Sequence, residues 1–136
     1  INAIAEKNQK QALDLYDDLL ALKEAPLRIL ALLARQFNLL LQVKALRRQG
    51  FDQSEIASRA GLMGFVVRRC LRQAEYFSEQ TLKGAVEDCI RTEEAVKTGR
   101  MRDQLGVELL IVRYSEKNKR ETNEVGDLPG SIKNRI

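Results

Sequence analysis

The 136-residue sequence has no histidine and no tryptophan, two prolines, two cysteines and only 5% aromatic residues. Each scarcity removes a class of protein. Without His the commonest general base is gone, and two thiols without metal-ligand spacing do not make a zinc site. Cys70 and Cys89 lie among apolar residues of predicted helices and read as buried, reduced thiols of a cytoplasmic protein. No Ser or Cys stands in a nucleophile context, and neither a Gly-rich phosphate loop nor a carboxylate pair set by a metal motif occurs. The sequence therefore offers no catalytic constellation, cofactor site or metal site. It also lacks an uninterrupted run of about 18 uncharged apolar residues, so it predicts no membrane span. The chain opens without Met, inside helical pattern at Ile1, and has no basic n-region or signal-peptide core. It reads as a piece of something longer.

What is present is aliphatic and charged. The 44% hydrophobic and 31% charged residues suit an all-α domain better than a sheet. The organising stretch is residues 26–49, predicted as one long central helix around which a helical bundle packs. Ile29, Leu30, Leu32, Leu33, Phe37, Leu39, Leu40, Leu41 and Val43 put apolar surface nearly all the way round it, which predicts burial on several sides. Pro26 marks its first turn and Gly50 its left-handed C-terminal cap.

Around that helix the chain predicts a short helix over 1–7 and a second over 9–23. The second carries Ala12, Leu13, Tyr16, Leu19 and Leu20 on one face, with Asn8 as the break and cap. Asp52 and Glu55 form a capping-box pattern opening a helix through Arg59. Ala57, Gly61 and Val67, with Ile56, Leu62 and Cys70 at the apolar positions around them, have the spacing of a helix-turn-helix pair, whose second helix covers about 64–76. Ser78 caps the next helix, to Lys97, with Leu82, Ala85, Val86, Cys89 and Ile90 as its stripe. Gly99 stops it. Asp103 opens a last helix, in which Leu105, Leu109, Leu110, Ile111 and Val112 are expected to sit against the central helix. Beyond this domain, residues 1–115, a polar tail covers 116–136.

The formal charge of +4 is not spread evenly. Between Lys44 and Glu75 lie seven basic residues (Lys44, Arg47, Arg48, Arg59, Arg68, Arg69, Arg72) and three acidic ones (Asp52, Glu55, Glu75), while the remaining charges cancel. Such a stretch is either a solvated face or an electrostatic footprint for nucleic acid or an acidic neighbour. Arg68, Arg69 and Arg72 share one predicted helix, with Lys97 and Arg100 at the end of the next. These five are the candidate contacts to DNA phosphate or to another subunit.

Residues 29–41 (ILALLARQFNLLL), 54–61 (SEIASRAG), Phe77 with Ser78, 97–100 (KTGR) and 108–113 (ELLIVR) resemble, in order and spacing, the C-terminal domain of the delta subunit of the bacterial DNA polymerase III clamp loader. The resemblance covers about residues 1–114, and the tail departs from it. It implies the collar domain of a three-domain subunit, joined in a ring to the delta prime and gamma/tau subunits. The N-terminal domains would resemble an AAA+ module that binds and opens the sliding clamp without hydrolysing ATP. The collar itself would be non-catalytic and would meet primer-template DNA weakly or indirectly. Arg35 and Gln36 are family-pattern residues, and polar heads among so much Leu suggest a helix-helix hydrogen bond or contact with another subunit. A helix-turn-helix transcription regulator is the alternative, since it uses Ala57, Gly61, Val67 and the basic stretch, but it leaves the central helix and the KTGR stretch unexplained.

Overall fold

The structure, a computed structural model, describes residues 1–116, and the polar tail expected over 116–136 lies outside them apart from Glu116. Seven helices follow one another: α1 (Asn2–Ala5), α2 (Gln9–Ala21), α3 (Pro26–Arg48), α4 (Gln53–Ala60), α5 (Gly64–Ala74), α6 (Glu79–Lys97) and α7 (Asp103–Ser115), with no strand among the described residues. The signals that start and stop them act as expected. The Asn8 side chain accepts from the Gln11 N–H, Pro26 occupies the first turn of α3, and Asp52 and Glu55 cap each other reciprocally. Ser78 accepts from the Thr81 N–H at the head of α6. Gly50 (φ 96°) and Gly61 (φ 68°) take left-handed conformations after α3 and α4 that a side chain would strain.

At 23 residues α3 is the longest helix, and α4, α5, α6 and α7 all pack on it. Phe37 stands at its centre, edge-on to Phe77 with ring centroids 6.0 Å apart and tilted against Tyr114 at 5.5 Å. Tyr114 in turn hydrogen-bonds Asp88 near the middle of α6, while Arg48 at the end of α3 meets Glu79 at the start of α6. Helices α3 and α6 are therefore antiparallel. Ile56, Val67, Cys70, Leu82, Ala85, Cys89 and Val107 fill the space around this axis.

The burial expected all round α3 is only partly realised. Ile29, Leu30, Leu33, Phe37, Leu40 and Val43 are buried, but Leu32 is 58% exposed and shares its outer face with Ala31, Arg35 and Asn38. Leu19, Ile90, Leu105 and Leu109, placed on inward stripes by sequence, are also exposed. Periodicity identifies an apolar face but not its width, and each partner helix covers only about 100° of a neighbour. Expected helix ends shift by one or two residues, as frayed termini do. One membrane expectation is corrected as well: by length and composition α3 could cross a bilayer, with a window of mean hydropathy 1.4, because an average tolerates charges that interrupt a run. Its buried side faces the other helices of the bundle.

Candidate nucleic-acid and subunit interfaces

Helix α5 positions the basic cluster. Val67, Cys70, Gln73 and Ala74 face inward, which forces Arg68, Arg69 and Arg72 outward because a helix turns about 100° per residue. Gln73 is anchored by a chain of side-chain amides: Gln36 Nε2 on α3 donates to Gln73 Oε1 at 2.9 Å, and Gln73 Nε2 donates to Asn2 Oδ1 on α1. The helix-helix hydrogen bond expected of Gln36 is thus present, and it turns this residue into the interior of the domain. Arg35, one step along, is exposed.

The seven basic residues of the charged stretch divide by what they touch. Lys44 Nζ donates to the Ala74 carbonyl at 3.0 Å, placing an ammonium on the last turn of α5 where carbonyls lack helical partners. Arg48 pairs with Glu79 at 2.6 Å, and the Arg59 guanidinium stacks 4.0 Å over the Phe51 ring. Arg47, Arg68, Arg69 and Arg72 form no ion pair among the described residues. The last two line a groove of about 340 Å³ with Asn2, Glu6, Gln73, Glu75 and Tyr76. Arg72 also borders a second groove of about 230 Å³ with Lys44, Arg47 and Glu75. Arg72 sits one helical turn from both Arg68 and Arg69, and such like-charge pairs each destabilise a helix by roughly 0.2–0.5 kcal/mol.

Lys97 and Arg100 do not join this cluster. They follow the full length of α6, about 27 Å by helical rise, from the Arg48–Glu79 end, and each has an acid nearby: Lys97–Glu93 at 3.5 Å and Arg100–Glu94 at 3.6 Å. The five candidates therefore fall into two separate places.

Sequence reasoning missed the centre around Asp88, between α6 and α7. Its carboxylate receives the Tyr114 hydroxyl and lies 3.4 Å from Arg113 and 3.5 Å from Arg91. Burial first, then the bond to Asp88, drives the Tyr114 phenol well above its usual range, so it stays a donor. Burial likewise raises the Cys70 thiol, with Gln36 and then Arg69 opposing, and lifts Cys89 to about 12. These are inert thiols at neutral pH. Among the described residues no group of three or more His, Cys, Asp or Glu is placed to hold a metal ion.

Fold and surface together define an all-α bundle domain whose chemistry lies on faces. The chain belongs to the family formed by the C-terminal domains of DNA polymerase III delta subunits, whose family model matches residues 1–114. It is 34% identical over 120 residues to the DNA polymerase III subunit delta of Bacillus subtilis (strain 168), a match covering 88% of this chain and 35% of that protein. The solved Bacillus subtilis DNA clamp loader delta protein superposes with a TM-score of 0.80 at 34% identity, over 85% of this chain and 34% of the other. The chain thus spans about a third of the length of these relatives. None of these findings supports the transcription-regulator alternative. The α4–α5 pair does form, with Gly61 at its turn and Ile56 and Val67 fully buried, and in this fold it serves as a packing unit on α3.

Proposed function

We propose that this domain is the collar piece of a clamp-loader delta subunit, non-catalytic by itself, which helps join delta to the delta prime and gamma/tau subunits of a cytoplasmic DNA polymerase III assembly. The observation that carries the reading is the extent of the family match, which runs from α1 to the penultimate residue of α7 and so takes in the entire bundle. On this reading the sliding clamp is handled by other domains of the protein, and primer-template DNA meets this one weakly and in a salt-dependent way.

The outer side of α3 is the proposed contact with a neighbouring subunit. Leu32 and Arg35 lie one turn apart there and are both exposed, an aliphatic side chain beside a guanidinium with no ion pair among the described residues. Fully buried interface centres favour that pairing of apolar area with Arg over Lys or Glu. Lys97 and Arg100, already near Glu93 and Glu94 of α6, supply a second edge for a neighbour to bridge.

The test mixes the full chain with purified delta prime and gamma/tau subunits and follows the mixture by size-exclusion chromatography. Co-elution, weakened in a Leu32→Asp, Arg35→Glu variant whose melting temperature is unchanged, is the expected result. Separate elution at every concentration tried would overturn the assembly reading.

A further inference from the structure

Helix α2 stands apart from the helix that follows it. It packs on α1 and α7, while its contact with α3 is slight at most, and a cleft is left between α2 and the first half of α3. Leu15 and Leu19 of α2 face Ile29 and Leu33 of α3 across it, and buried Ile4 and Ile111 complete the lining. The one hydroxyl there, on Tyr16, is already donated to the Gln104 carbonyl. At about 90 Å³ the space equals the volume of about three waters but offers them no polar side chain, which suits a branched aliphatic group instead. Leu15 is 49% and Leu19 38% exposed, so the α2 wall has no cover among the described residues. Beside that wall α2 is acidic, with Asp14, Asp17 and Asp18 against Lys10. Lys10 is taken by Asp14, whereas Asp18, one turn from Leu15 and adjacent to Leu19, is exposed and forms no ion pair among the described residues.

We propose that this cleft is the docking groove for the chain's own residues 128–136, with Leu128, Ile132 and Ile136 as the anchors. In sequence those three recur at every fourth position, the spacing by which an apolar segment lays its side chains into a groove between two helices. Lys133 and Arg135 lie between the last two anchors and the segment contains no acid, so its charge complements the Asp18 rim. The approach is short. Ile111 borders the cleft, and Glu116, where the chain leaves α7, is about 8 Å further on by helical rise. From Glu116 to Leu128 the chain can span up to about 40 Å, which is ample. An apolar helix of a neighbouring subunit would fill the same space, but it has to be brought there, whereas the tethered segment is present at an effective concentration of order mM. The inference uses neither Leu32 nor Arg35 and stands apart from the assembly reading.

The experiment is disulfide trapping in the full chain carrying Leu15→Cys and Ile132→Cys, oxidised mildly at low protein concentration and read by gel mobility. Cys70 and Cys89 are buried and stay out of the exchange. The control pairs Ile132→Cys with Arg47→Cys, an exposed position about 21 Å along α3 from Leu33 by helical rise. Because Tyr114 packs against Phe37, midway along α3, a segment that docks nowhere reaches both positions about equally. Docking is expected to close the Leu15 pair within one chain about tenfold faster than the control, above the encounter level of a free linker. Adding Leu128→Asp and Ile136→Asp, both beyond α7 and so leaving the bundle unaltered, should bring the rate down to the control. Asp18→Asn should slow trapping at low salt and leave it unchanged at high salt. Equal rates at the two positions would overturn the proposal. So would a cross-link that forms mainly between chains and grows with concentration, which gives the cleft to a second copy. A Leu15→Cys thiol that resists alkylation only once delta prime and gamma/tau subunits are added would overturn it too, and would give the cleft to a neighbouring subunit.

Discussion

Gly106 is the glycine whose added Cβ would meet the closest neighbours among the described residues. A Cβ there would stand 2.8 Å from Thr92 Cγ2 and 3.1 Å from Met101 Sδ, because α7 crosses α6 at close range. Helix propensity alone favours Ala over Gly by about 1 kcal/mol, whereas forcing a methyl into filled space costs typically 1–3 kcal/mol. The second term should win, so Gly106→Ala is expected to lower the melting temperature by several degrees. A variant as stable as the parent would mean that Thr92 and Met101 step aside. A glycine inside a helical pattern is a readable hint, but its reason is not readable, since the neighbours that crowd it lie outside its own helix. Gln36 was easier to read: a polar head among so much Leu suggested either an inter-helix bond or a contact with another subunit, and the inter-helix bond is present. Asp88 was illegible, because Tyr114 is 26 positions away and only the fold brings the two together.

At the scale of elements, helix ends were legible, and helix faces were legible in position but not in width. Pro26, Gly50, Asp52, Gly61 and Ser78 act within a few residues of themselves, so local chemistry settles where α3, α4 and α6 begin or stop. The outward Leu32, Ile90 and Leu109 depend on how many helices surround each neighbour, which no local pattern encodes. Lys44 shows the same division: in the sequence it is one more charge of a basic stretch, and in the fold it closes the last turn of α5 through Ala74. A half-buried charged donor on a helix-end carbonyl, here shared with the Phe77 N–H, should be worth more than an exposed pair. Lys44→Met is accordingly expected to cost about 1–2 kcal/mol in denaturant unfolding. Arg48→Met, which removes a pair whose arginine side chain is 63% exposed, should cost under about 1 kcal/mol. Equal losses would deny Lys44 its capping role.

Across the whole molecule, groups that prefer to stay neutral are distributed around the core, one on each of four helices. Tyr16 on α2, raised to about 12, owes its shift first to burial and then to Asp103, Glu108 and Asp17. Cys70 on α5, Cys89 on α6 (to about 12) and Tyr114 on α7 are raised as well, chiefly by burial, and Asp88 adds to the last two. A group whose folded value lies above its unfolded one contributes stability that is complete below the unfolded value and is lost as pH rises through the folded one. The windows run from 9.0 to about 12 for Cys89 and from 10.0 to about 12 for Tyr16, so both contributions decline over the same alkaline range. Because the four groups sit on four different helices packed about one core, ionisation should loosen the bundle as a unit. Thermal melts from about pH 7 to about pH 11 are expected to show stability level to about pH 9 and falling beyond it in a single transition. Cys89→Ala should flatten the early part of that fall, since it removes one of the two thiols whose windows open first, at 9.0, whatever the cavity costs at neutral pH. A pH profile of the same shape in the variant would transfer the alkaline loss from Cys89 to Cys70 and the phenols.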